Sequence, residues 1–68
     1  MAKRNNKYRL VGGPMDGYEE DTEHKWGEII SFGFELGKRF ISHFYAASNI
    51  IRDGKRLYFF KETNEIPK

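Results

Sequence analysis

The chain has no cysteine among its 68 residues, and only two prolines and two histidines. Without cysteine there is no disulfide to staple a small domain and no thiolate to hold a metal. No apolar run approaches the roughly 18 residues that a membrane-spanning helix requires. The N-terminus, Met1 to Lys7, is basic but lacks the apolar segment of a secretory signal. A large charge excess is missing as well, since 12 Lys and Arg against 10 Asp and Glu leave a net charge of +2. These absences predict a soluble protein of a reducing compartment, the cytoplasm, with no membrane partner, no metal and no other cofactor.

What the chain has is aromatic side chains: six Phe, four Tyr and one Trp. A domain of this size buries only about 60% of the surface its unfolded chain exposes. Rings that hide roughly 150–250 Å² each are the natural means of building its core, and self-association is the other means. The charges are segregated. Lys3, Arg4, Lys7 and Arg9 have no acid among them, whereas Asp16, Glu19, Glu20, Asp21, Glu23 and Glu28 are opposed only by Lys25. From Lys38 onward the signs mix, with Arg52, Lys55 and Arg56 close together.

The patterning predicts one β domain over residues 7–62, with a flexible basic tail at 1–6 and a second flexible tail at 63–68 that carries Pro67. Tyr8 to Val11 reads as a strand that ends at a corner made by Gly12, Gly13, Pro14, Asp16 and Gly17. Glycine reaches positive φ without strain, and proline fixes its own φ. Tyr18 to Asp21 gives a weak signal for a return strand. Residues 28–34 alternate clearly, with Gly33 read as a bulge or bend. Over Arg39 to Ala47, Phe40, Ser42, Phe44 and Ala46 share one face, while Ile41, His43, Tyr45 and Ala47 share the other. Phe40, Phe44, Ala47 and Ile51 also fall at helical spacing. The mediocre helix formers between them and the Asp53-Gly54 hairpin signal favour a strand. In the last strand Leu57 and Phe59 oppose Tyr58 and Phe60. The expected fold is all-β: a small antiparallel meander of four to five strands, curled into a half-barrel or barrel.

The stretch Tyr8-Arg9-Leu10-Val11-Gly12-Gly13-Pro14-Met15-Asp16-Gly17 resembles the opening of a group of very short, uncharacterised proteins from bacteriophages and bacterial genomes. Those chains begin with a strand, a Gly-Gly-Pro-x-Asp-Gly corner and a second strand, and they end in an aromatic strand. His43-Phe44-Tyr45 and Arg56-Leu57-Tyr58-Phe59 look like the matching close. Only the corner is a specific match, and residues 18–36 do not share the pattern. The resemblance implies a phage or prophage setting, where small proteins that bind and redirect a host component are common. It carries over no active site.

Read for chemistry, the residues argue against catalysis. The glycine corner lacks both the Gly-Lys-Ser/Thr ending of a P-loop and the G-x-G-x-x-G spacing of a dinucleotide fold, and Asp16 would repel a phosphate. It reads as a structural corner. His24 and His43 stand in no ligand pattern, so no metal site is expected. The acidic run from Glu19 to Glu23 lacks calcium-loop spacing and reads as a solvated face. No serine lies in a nucleophile elbow. The chain is therefore expected not to be an enzyme.

The aromatic rings remain. Alternation sends neighbouring rings to opposite faces of a sheet, so one thin layer cannot hide them all. The residues expected to contact a partner are Tyr45, Tyr58 and Phe60, or their counterparts on the other face, with Arg52, Lys55 and Arg56 beside them and Lys3, Arg4 and Lys7 on the basic arm. Such a patch suits a protein interface or a homo-oligomer such as a dimer. It alternatively suits stacking on unpaired bases, which would make the chain a nucleic-acid-binding β-domain.

Overall fold

The computed structural model describes residues 5–67. The described residues hold five strands: β1 (Asn6–Val11), β2 (Glu19–Thr22), β3 (Ile29–Leu36), β4 (Arg39–Arg52) and β5 (Lys55–Pro67). They form one sheet in the order β2-β1-β5-β4-β3, curved into a half-barrel. Among the described residues no helix is long and apolar enough to cross a membrane.

The all-β half-barrel agrees with the sequence reading, and residues 39–51 are strand. The topology departs from a simple meander in one respect. β3, β4 and β5 run antiparallel in succession, but β1 joins β5 in parallel, Leu10 against Tyr58. A parallel neighbour cannot be reached by a tight turn. The rest of the chain between them is the crossover, so the first strand ends up inside the sheet and β2 becomes an edge.

Local chemistry explains most of the turns. Asp53 and Gly54 both have positive φ, 54° and 77°, as a two-residue hairpin of mirror-image turn type demands. Of the expected tail at 63–68, residues 63–67 are instead the end of β5, where Thr63, Asn64, Glu65, Ile66 and Pro67 pair with His43 back to Arg39, and Lys68 lies outside the described residues. Pro67 stands at the last position of that strand, where a missing N–H is tolerated. Gly33 is neither a bulge nor a bend, because the β3–β4 ladder is regular through it. Its missing side chain makes room for Phe40: a Cβ there would lie 2.5 Å from the ring's Cζ.

The irregularities lie elsewhere. Phe44 opposes Glu62 while Tyr45 opposes Phe60, so Lys61 is an extra residue in β5. Ala47 opposes Tyr58 while Ile51 opposes Arg56, so Ser48, Asn49 and Ile50 face Leu57 alone. The Ser48 hydroxyl holds this second bulge, donating to the Leu57 carbonyl at 2.7 Å and accepting the Ile50 N–H at 3.2 Å.

The core lies on the inner face. Tyr8, Leu10, Tyr45 and Tyr58 are buried there, with Met15, Trp26, Ile30, Phe32, Ala47 and Phe60 packed around them. Among the described residues no second sheet covers this face. Two connecting segments do, residues 12–18 and 23–28, and three tyrosine hydroxyls fasten them. Tyr45 donates to the Gly12 carbonyl at 2.8 Å and accepts the Met15 N–H at 3.0 Å. Tyr8 accepts the Trp26 N–H at 2.8 Å and donates to the His24 carbonyl at 3.4 Å, and its ring stacks on Trp26 at 4.2 Å. Tyr58 donates to the Gly27 carbonyl at 2.6 Å. Each ring gives the core its apolar body, and each hydroxyl satisfies a backbone group that the covering segment would otherwise bury unpaired.

Candidate functional site

The outer face carries a groove of about 290 Å³. Its position follows from the second bulge. Three residues of β4 against one of β5 bring Ile50 and Leu57 to the same groove, and Leu57 is only 5% exposed although it points away from the core. Val11 on β1 and Phe59 on β5, which are register partners, continue the apolar floor. Arg9, Arg52 and Lys55 stand at the rim with Asp16 and Asp53. Beyond the groove the same row crosses the sheet from Phe59 to Ala46 and then Ile29. Phe59 is 38% exposed, Ile29 54% and Phe40 36%.

The rim is close to neutral. Glu19 of β2 places one carboxylate oxygen 3.6 Å from Arg9 and 3.4 Å from Lys55. These half-exposed pairs add little stability, but the Glu19 carboxylate offsets the attraction of the two cations for an anionic ligand. The Asp16 carboxylate accepts the Gly12 N–H at 2.7 Å, which ties it to the corner.

The corner residues make a tight return of the chain. Gly12, Gly13 and Gly17 all have positive φ. Gly17 donates to the Leu10 carbonyl at 2.8 Å, and Leu10 donates to that of Tyr18 at 2.8 Å, so the corner returns the chain as a closed loop. Pro14 lies in the exposed part of the turn. Gly13 rests on Phe60, where a Cβ would come within 2.4 Å of the ring.

The residues expected at a partner surface do not meet in one place. Tyr45 and Tyr58 are fully buried, and Phe60 packs against the core. They cannot be the exposed rings, because the connecting segments chose their face to cover. The exposed role falls to their counterparts Phe59 and Phe40, while Phe44 on the same face is half-buried. Arg52 and Lys55 oppose each other at the groove. Arg56 is on the inner face, where its Nε donates to the Ser48 carbonyl at 2.8 Å and its guanidinium lies 5.9 Å from the Tyr58 ring centre. Lys7 pairs with Asp21 of β2 in register. Lys3 and Arg4 lie outside the described residues. The basic cluster is thereby divided between two faces.

Val11, Leu57 and Ile50 line the groove without having been singled out as site residues from the sequence, whereas Arg9 was noted there only as part of the basic cluster. Only the two-residue excess in β4 brings Ile50 and Leu57 to the same groove, and no local pattern signals a bulge of that kind. Among the described residues no group of three or more His, Cys, Asp or Glu is arranged to hold a metal. Burial pushes the Tyr58 phenol above the ordinary 10.0, while Arg56 pulls it back and Tyr8 adds to the rise. Compared with family models, with curated proteins and with solved structures, the chain matches none.

Proposed function

We propose that the chain is a small non-catalytic binding module that docks a host protein on its outer sheet face, in the cytoplasm of a bacterium that carries a phage or prophage. One observation carries this reading. Both covering segments lie on the inner face, while the outer face keeps the exposed row of Phe59 and Ile29 beside a groove floored by Leu57 and Val11. Exposed rings next to arginine are the composition of protein interfaces, and a groove of this depth fits one apolar side chain of a partner.

Nucleic acid fits less well. Arg9 and Lys55 share Glu19, Arg56 is held on the opposite face, and a phosphate track needs its cations on one side.

The test is site-specific photo-crosslinking in a bacterial lysate, with the crosslinking residue at Phe59 and, as a control, at Glu23. A discrete adduct from position 59 that disappears in Ile29→Ser is the expected outcome. The reading fails if neither position captures a protein, or if both capture the same mixture.

A further inference from the structure

The sheet has two edges, and they are built differently. β2 is four residues long and carries Glu19, Glu20 and Asp21. Short length and charge are how natural sheets keep an edge from recruiting another strand. β3 has eight residues, one charge (Glu35), no proline and no bulge. Ile29, Phe34 and Leu36 on it are 54%, 45% and 62% exposed.

The hydrogen-bond phase of β3 shows which of its backbone groups point away from β4. The Ala47 N–H donates to the Glu28 carbonyl at 2.7 Å. In an antiparallel ladder bonded pairs alternate with non-bonded ones. Even-numbered positions of β3 therefore face β4 with their N–H and C=O groups, and Ile29, Ser31, Gly33 and Glu35 aim theirs out of the sheet. The molecule is also extended along the strands. It measures 46 × 24 × 18 Å, with a radius of gyration of 13.5 Å, against about 11 Å for a compact domain of this length. The far ends of β3, β4 and β5 project beyond the segments that cover the core.

We propose that β3 pairs antiparallel with β3 of a second copy about a two-fold axis through Gly33, joining two five-stranded sheets into one. β3 is its own best complement. About that axis Phe32 opposes Phe34 of the second copy and Ile30 opposes Leu36, so the inner-face row is apolar throughout. Ser31 opposes Glu35, and no like charges meet. The two glycines face each other at the axis, in the phase that uses their outward backbone groups. An isologous pairing closes on itself and leaves no further edge of this kind exposed. This contact is distinct from the outer-face groove and does not depend on it.

Sedimentation equilibrium on the full chain tests the proposal. The expected mass is twice the 8.0 kDa chain. Methylating the Ser31 backbone nitrogen by chemical synthesis removes an outward donor and leaves the β4 ladder intact, and the expected result is a folded monomer. Ser31→Pro has the same aim and should give the same mass. Phe59→Ser should remain a dimer. In a mixed-label sample, an intermolecular contact between the Hα atoms of Phe32 and Phe34 would fix the register. A wild-type chain that stays monomeric at NMR concentrations overturns the proposal. So does a dimer that survives N-methylation, or one that Phe59→Ser dissolves, which would place the contact on the outer face.

Discussion

Gly13→Ala meets two obstacles at once, and neighbouring glycines separate them. At Gly13 the φ is +67°, and a Cβ would lie 2.4 Å from Cδ1, 2.5 Å from Cγ and 3.0 Å from Cβ of Phe60. At Gly17 the φ is +86° with nothing within 4 Å. Gly12 is intermediate, with φ +80° and Phe60 Cβ at 3.5 Å, an ordinary contact. Left-handed backbone costs an L-residue roughly 1–2 kcal/mol, partly offset by the reduced freedom of the unfolded chain. Gly17→Ala and Gly12→Ala should therefore each lose about 1 kcal/mol. Gly13→Ala should lose a further 1–3 kcal/mol or so, because Phe60 packs against the core and has little room to retreat. An excess of about 2 kcal/mol corresponds to a Tm lower by roughly 8–16 °C in a domain this small. Total stability near 3–5 kcal/mol would be mostly consumed by such a loss. Urea titration followed by Trp26 fluorescence measures it, since Trp26 stacks on Tyr8 and reports on the core. Phe60→Leu should shrink the excess when combined with Gly13→Ala, which a double-mutant cycle reads directly. If Gly13→Ala and Gly17→Ala lose the same amount, Phe60 does not limit the corner and the reasoning fails.

Two further outcomes follow from the tyrosines. The Tyr58 phenol has a raised folded-state pKa, chiefly from burial. An acid of this kind leaves stability unaffected below its unfolded value of 10.0 and lowers it as pH rises from there through the folded value, because the unfolded chain then binds fewer protons. Alkaline unfolding monitored by Trp26 fluorescence should show this loss, and it should be reduced in Tyr58→Phe. Tyr45→Phe removes the donor to Gly12 and the acceptor for Met15 and should lose about 1–3 kcal/mol in urea. Amide exchange at Met15 should speed up more than at Tyr58.

The three tyrosines also show where sequence reasoning succeeds and stops. Period-two alternation separated Tyr45 from Phe44, and Tyr58 from Phe59, correctly, because strand geometry alone sends neighbours to opposite faces. It could not say which face is the core. A tyrosine looks fit for an exposed amphipathic surface, and here its hydroxyl instead serves the carbonyls and N–H groups of segments folded over it from more than fifteen residues away. The groove was hidden for a related reason. Ile50 and Leu57 are unremarkable in the chain, and only a register excess between β4 and β5 brings both to the same groove.

By itself the amino-acid order determined the all-β class, the mirror-image turn at Asp53-Gly54 and the glycine corner, since each is set by the φ that a few adjacent residues can adopt. The parallel docking of β1 on β5, the extension of β5 to Pro67 and the choice of covered face were decided only by tertiary structure. They arise between segments far apart in the chain, where backbone groups and rings compete for partners that no local window contains.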